Sequence, residues 1–525
     1  MKSLKPVNLF GAGILLSLLT LGIASCKTLE NEPAFVVSTA QGKVEGEQLG
    51  TLHVFRGIPF AAAPVGDLRW KPPVAQASWS GIRQAKSFAP ACYQSPNELM
   101  NVPDQPVSED CLYLNVWAPA SQPAEGLPVL VWIHGGGFSF GSTAMPLFDG
   151  AALAAKGVIF VSAAYRLGPL GFLAHPQLSK ESEHGVSGNY GLLDQIAALE
   201  WVQQNIRAFG GDPARVTIMG ESAGGMSVSA LVQSPLAKGL FHGAIAQSGA
   251  FVTDVGMVRK LADAEQSGAQ FAGDLGAASI AELRALPAET LWDRSGIGMP
   301  FNRRESWPVA DDYVLPGNAA QRYKNREINI TPVLIGNNDR EGDLFPHVTT
   351  LDQYQRSTAQ NFGPLAPTVL QAYPATDDAS AAYAAASLLG DSLFGVQTWT
   401  WARLQETYSD APVYYYHFAH YPPRYDGDVP GPVHGAELPY VFGTPGARPY
   451  QWTHDDKAMS ELLMTYWTNF VKRGNPNGDG LPQWPEFSSD KPSVMYFRQW
   501  QADVGPVPHI EQIRVLDPLA HTAME

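Results

Sequence analysis

Cationic charge is scarce in this sequence. Thirty-five Lys and Arg stand against 50 Asp and Glu, a formal net charge of −15. That balance argues against a nucleic-acid partner and against polybasic contact with a membrane surface. Cysteine is scarcer still: three in 525 residues admit one intramolecular disulfide at most. From Phe35 onward there is no long linker, no block of like charge and no internal repeat, which excludes a solenoid or a string of modules. What is present is globular in character, with 45% hydrophobic and 10% aromatic residues. The chain is long enough for a large core, and its 50 glycines and 42 prolines, spread without period, suggest many loops on a sheet scaffold.

Residues 1–25 stand apart. Lys2 and Lys5 precede an apolar run, Leu9 to Ile23, that ends in Ala24-Ser25-Cys26. A basic start, an apolar stretch and small residues before a cut are the marks of an export signal. The run is too short and wrongly flanked for a membrane span. Ile23-Ala24-Ser25-Cys26 also resembles a bacterial lipobox, in which the cysteine is acylated and becomes the mature amino terminus. The alternative is an ordinary secretory signal with an incidental cysteine. The expected organisation is therefore a signal over 1–25, a tether over 26–34 and one domain over 35–525. Membrane contact is expected only through lipid on Cys26, in the periplasm or at the outer membrane; otherwise the protein is secreted. Export leaves Cys92 and Cys111 as a candidate disulfide in an oxidising compartment, the other reading being two buried thiols.

The coarse pattern is strand alternating with helix. Val129–Ile133, Val158–Ala164, Val216–Met219, Ala244–Gln247, Val333–Gly336 and Val413–Phe418 are near-continuously apolar, as buried parallel strands should be. Between them, Asp194–Arg207 places Ile196, Leu199, Val202 and Ile206 on one helical face, and a late helix is expected over Lys457–Lys472. The pattern implies an α/β fold with a large, mostly parallel sheet covered by helices on both faces. Residues 255–330 read as a helical insertion near the site.

Chemistry concentrates at three places. Gly220-Glu221-Ser222-Ala223-Gly224 is a G-x-S-x-G run between a β-prone stretch and a small, apolar helix start. Such a turn exposes a serine hydroxyl at the carboxyl edge of a sheet, above a helix amino terminus. His134-Gly135-Gly136-Gly137-Phe138 follows a strand, and its glycines free backbone N–H groups to hold an oxyanion. No lysine or serine follows at the spacing of a phosphate loop. A nucleophilic serine needs a base and the base an orienting acid. His434, flanked by Gly431 and Gly435, is a loop histidine able to reach a site. The acid belongs to the stretch after Val333–Gly336, which holds both Asp339 and Glu341. The order Ser222, Glu341, His434 is that of the α/β-hydrolases. His417 and His420 invite a metal reading, but their i,i+3 spacing on a strand separates the rings.

These motifs resemble those of the type-B carboxylesterases, the group of para-nitrobenzyl esterases, animal carboxylesterases and cholinesterases. The resemblance runs from about residue 35 to about 500. Its further stretches are Phe55–Phe60, Glu109–Trp117, Tyr165–Gly168, Gly188–Gln195 and Gln247-Ser248-Gly249. It implies an α/β-hydrolase fold with helical insertions and hydrolysis of small to medium or aromatic carboxylic esters through an acyl-enzyme. The implied roles are nucleophile Ser222, base His434, acid Glu341, and oxyanion donors on the N–H groups of Gly136, Gly137 and Ala223. The acid motif departs from the usual Asp-Glu-Gly, reading Arg340-Glu341-Gly342, with Asp339 a rival. The resemblance also pairs Cys92 with Cys111, Arg69 with Glu109, and Arg166 with Asp194. Glu221 and Ser248 are expected just behind the triad, with the chain direction at the elbow turning Glu221 away from the histidine. No metal or cofactor is called for.

Departures narrow the substrate. The Cys92–Cys111 loop has no tryptophan, the residue cholinesterases use there against a quaternary ammonium, so choline esters are not expected. Arg303 and Arg304 either face the pocket and select an anionic substrate or form a solvated surface pair. Two rival functions remain: an idle adhesion module of the same fold, or the same triad acting on amide, carbamate or thioester bonds.

Overall fold

The apolar strands assemble as expected, into the centre of a sheet that has 13 strands among the described residues. The computed structural model describes residues 35–95, 105–121, 123–252, 258–294, 307–423, 431–448 and 451–517. Cys26, Arg303 and Arg304 lie outside them. The strands are β1 (Phe35–Ser38), β2 (Lys43–Leu49), β3 (Leu52–Pro59), β4 (Ile82–Gln84), β5 (Tyr113–Pro119), β6 (Leu127–Ile133) and β7 (Ile159–Ala163). They continue as β8 (Gly211–Glu221), β9 (Gly243–Gln247), β10 (Val333–Asn338), β11 (Val413–Phe418), β12 (Ser493–Arg498) and β13 (Gln501–Pro506). Their order is β1-β2-β3-β5-β7-β6-β8-β9-β10-β11-β12-β13, with β4 beside β2. From β7 to β12 every pairing is parallel. The flanking pairings β1–β2, β2–β3, β3–β5, β5–β7 and β12–β13 are antiparallel.

Side-chain alternation divides the core between the two faces of this sheet. Val129, Val131, Ile133, Val216, Ile218, Ala244, Ala246, Val333 and Ile335 belong to one apolar cluster. Their neighbours Leu130, Trp132, Met219, Ile245 and Leu334 belong to another. The first face is covered by α1 (Tyr190–Asn205), α2 (Ala223–Gln233) and α4 (Val396–Tyr408), the last continuing from α3 (Asp378–Gly390). The second is covered by α5 (Leu438–Phe442) and α6 (His454–Arg473), whose Met459, Leu463, Tyr466, Trp467 and Phe470 pack inward. A Thr453–Asp456 capping box starts α6, and Gly474, with φ 68°, ends it. The chain closes with α7 (Ile510–Leu516).

The antiparallel flank has no counterpart among the sequence-based strand expectations. Its outer strands are half exposed, and of Lys43–Leu49 only Val44 and Gly46 are buried; β3 and β5 are mostly buried, but Arg56 and Asn115 interrupt their apolar runs. The 255–330 insertion is helical over Leu261–Asp274, Ile280–Ala285, Ala288–Arg294 and Ala319–Lys324. It also carries a short parallel pair, Arg259–Lys260 with Val309–Ala310.

Candidate active site

Strand β8 runs directly into Ser222, whose backbone sits at φ 56° and ψ −123° before α2 begins at Ala223. A serine pays strain for that conformation, and the surroundings enforce it. A methyl group on Gly224 would stand 2.1 Å from the carbonyl oxygen of Ile133. Strand β6 and the elbow therefore touch backbone to backbone. The loop after β6 then turns at Gly136, φ 100°, where a methyl group would stand 1.9 Å from the carbonyl oxygen of Phe140. Among the described residues nothing accepts a hydrogen bond from the N–H of Gly136 or Gly137. The N–H of Ala223 heads α2, where the first turn has no acceptor of its own. The loop is held from outside. Tyr165 donates its hydroxyl to the His134 carbonyl at 2.9 Å, and Gln94 pairs with both the N–H and carbonyl of Gly141 at 2.9 and 2.8 Å.

The base and acid arrive from the other side of the sheet's carboxyl edge. Glu341 follows β10, His434 sits in the turn before α5, and Arg340 bridges to Val433 backbone to backbone. His434 Nδ1 lies 2.6 Å from Glu341 Oε2. The other oxygen of Glu341 accepts from Ser248 Oγ at 2.5 Å and from the Asn338 N–H at 2.6 Å. Asp339 faces elsewhere: its Oδ1 is 3.2 Å from His417 Nε2. His420 pairs with Asp456 at 2.9 Å, so the two histidines serve separate carboxylates. His434 Nε2 is buried and makes no hydrogen bond among the described residues.

One expectation about Glu221 needs correction. Its Oε1 lies 3.2 Å from His434 Nε2 rather than turning away. Alternation along β8 explains this. Glu221 shares a face with Met219, the face covered by α5, and His434 enters from the segment leading into α5. The contact is electrostatic and leaves Nε2 without a hydrogen bond. Burial pushes the Glu221 carboxyl up to about 8, reinforced by Glu437 and Glu341 and opposed by His434. Burial by itself lowers the His434 pKa, but Glu221, Glu341 and Glu437 together push it up to about 9.

Sequence reasoning passed over Glu437, which is fully buried three residues after His434. It accepts from Gln247 Nε2 at 2.8 Å and Asn338 Nδ2 at 2.6 Å, while Trp467 Nε1 donates to Gln247 Oε1 at 3.2 Å. Burial raises its pKa as well. A carboxylate one turn beyond a catalytic-type histidine was the available signal. Further out, Cys92 and Cys111 form a disulfide. Arg166 grips Asp194 in two bonds of 2.8 and 2.7 Å, and Arg69 grips Glu109 at 2.7 and 2.5 Å. Phe138, directly after the glycine loop, packs with Phe172 and Trp307, each at 5.1 Å, and with Phe251 at 6.0 Å.

Comparison with known proteins agrees with this geometry. Residues 33–505 match the family model described as the Carboxylesterase family. A fumonisin B1 esterase of Sphingopyxis macrogoltabida is 40% identical over 87% of this chain and 85% of that protein. The liver carboxylesterase of Sus scrofa is 38% identical over 91% of this chain and 92% of that protein. A solved PNB esterase superposes with a TM-score of 0.81 at 34% identity, covering 92% of this chain and 99% of that one.

Proposed function

We propose, for a chain that belongs to the carboxylesterase family and is a serine hydrolase of carboxylic esters, that Ser222 is the nucleophile, His434 its base and Glu341 the orienting acid. The observation that carries the assignment is the 2.6 Å pairing of Glu341 with His434 Nδ1, which leaves the opposite ring nitrogen without a hydrogen bond. Glu341 fixes the tautomer with the proton on Nδ1, so Nε2 can accept the Ser222 proton as Oγ attacks the ester carbonyl. The oxyanion is held by the N–H groups of Gly136, Gly137 and Ala223. Each such donor contributes about 3 kcal/mol to the transition state. The imidazolium returns its proton to the leaving alcohol, and water activated by the same nitrogen then releases the acid from the acyl-enzyme.

The buried aromatic cluster of Phe138, Phe172, Phe251 and Trp307, which begins directly after the glycine loop, supports small to medium or aromatic esters as substrates. Hydrolysis of para-nitrophenyl esters from acetate to decanoate by residues 27–525 tests this, with Ser222→Ala as control. Turnover of the short esters, abolished in the variant, is the expected result; equal rates in both proteins would overturn the assignment. The basic, apolar and small-residue order of residues 1–26 supports export and lipid attachment at Cys26. Expression of the full chain should place it in the membrane fraction, and Cys26→Ser should release it. An unchanged distribution would refute the anchor.

A further inference from the structure

The helix across the base is not a regular α-helix. Between α3 and α4 the turn Asp391–Gly395 is π-helical, so one continuous helix carries an inserted residue. Such turns are less stable than the α form and tend to persist where a side chain must be re-aimed. Here the re-aimed side chain is Phe394, which is fully buried. Its ring stacks on the His434 imidazole, with centroids 4.4 Å apart and planes 21° apart. Phe345 closes a second side of the same imidazole at 5.2 Å.

The turn is anchored on both flanks. Asp391, at its start, accepts the Tyr373 hydroxyl at 2.9 Å and faces His509 Nδ1 at 3.1 Å. His509 adopts φ 50° at the head of α7. At the end of α7, Asp517 accepts from Trp399 Nε1 at 3.0 Å and from Arg403 Nη1 at 2.5 Å, both on α4. The carboxyl-terminal segment thus clasps the bulged helix on either side of Phe394. The last turn of α3 also lies against the acid loop: a methyl group on Gly342 would stand 1.9 Å from the Ala386 carbonyl oxygen. One bulged element therefore touches the backbone beside Glu341 and the face of His434 together.

We propose that Phe394 is a positioning residue for the ester hydrolysis, holding the His434 ring coplanar with its Glu341 hydrogen bond, and that the π-turn clasped by Tyr373 and His509 exists to present it. The inference rests on His434 being the base. A flat ring at stacking distance restricts tilt of the imidazole about its Glu341 bond without competing for either nitrogen. It also keeps water from that face of the imidazolium that forms during catalysis. The titratable groups facing His434 are Glu221 from the elbow, Glu341 from the acid loop and Glu437 from its own turn, and none of them is altered by changing Phe394.

The test compares Phe394→Leu, Phe394→Tyr and His509→Leu with the wild type and Ser222→Ala on para-nitrophenyl acetate. The readouts are kcat, KM, thermal midpoint and the pH profile of kcat/KM. Phe394→Leu should lower kcat about tenfold with KM changed less than about twofold. Its acid limb should move to higher pH, because readmitted water favours the charged imidazole. Phe394→Tyr, which keeps the ring, should recover most of kcat. His509→Leu, at a partly exposed anchor, should lower kcat about threefold without moving KM. Unchanged kcat and acid limb in Phe394→Leu, or losses in every variant that simply follow the fall in thermal midpoint, would overturn the proposal. Should Phe394→Leu fail to fold, His509→Leu decides it alone, and an unchanged kcat there counts against it. A Ser222→Ala protein as active as wild type would instead sink the nucleophile assignment, which separates the two failures.

Discussion

The nucleophile half of the site and the base half are built from different materials. Around Ser222 the constraints are backbone against backbone: β8 into α2, Gly224 on Ile133, and Gly136 on Phe140, with Ser222 itself at φ 56°. Around His434 the constraints are side chains from distant segments: Glu341 after β10, Glu437 at the start of α5, Glu221 at the end of β8 and Phe394 from the π-turn. Steric fit governs the first half, and charge and proton direction govern the second. The first should therefore fail when a single methyl group is added. The second should tolerate equal-shaped replacements in its packing and fail in its chemistry.

The largest effect expected from this contrast is Glu341→Gln. Glu341 Oε1 takes two donors, Ser248 Oγ and the Asn338 N–H, so the amide oxygen of glutamine must occupy that position. Its NH2 group then points at His434 Nδ1 and forces the proton onto Nε2, where the base is needed. Loss of kcat by about 10⁴ is expected, with folding intact by circular dichroism. A loss below about tenfold would show that orientation, not tautomer, is the acid's contribution. Next comes Gly136→Ala, on the steric side. The added methyl group cannot share space with the Phe140 carbonyl, so the loop must move and at least one oxyanion donor is misplaced. A fall in kcat of about 10² to 10³ with KM nearly constant is expected from steady-state kinetics. If KM rose instead and kcat held, the loop would be shaping substrate binding and the contrast between the halves would weaken.

The same contrast explains what could be read from the sequence. The elbow and the glycine loop are local, so strand, turn and helix signals lay within about ten residues of each other and pointed to Ser222, Gly136 and Gly137 directly. The central strands were legible because burial on both faces leaves an unbroken apolar run. Glu341 could be separated from Asp339 only by registration of its motif, and the structure sets Asp339 against His417 instead. The approach of Glu221 to His434 was misjudged because it depends on which sheet face the α5 segment covers, a fact that no local pattern records. Phe394 gave no signal at all. A π-turn changes helix register by one residue, and neither Gly390 before it nor Gly395 at its end marks one in a sequence.

Glu221→Gln gives the smallest change at optimum and the finest test, because it alters charge with almost no change in shape. Glu221 lies 3.2 Å from His434 Nε2 and is foremost among the carboxylates that hold the imidazole pKa up, against burial, at about 9. Ester attack requires neutral His434, so kcat/KM of the wild type should still be climbing between pH 7 and 9. Replacing the carboxylate by an amide removes part of the stabilisation of the imidazolium, whereas burial, which disfavours charge, is unchanged. The acid limb should therefore move to lower pH, and because burial holds the Glu221 carboxyl itself at about 8, the variant should gain on the wild type mainly between pH 8 and 9, where that carboxyl carries its charge. Its maximal rate should differ by less than about threefold, since the amide leaves both the Glu341 bond and the oxyanion loop untouched. A limb that stays in place would mean that Glu341 and Glu437 alone set the base, and that Glu221 lies near His434 through packing of the elbow rather than as part of the electrostatic half.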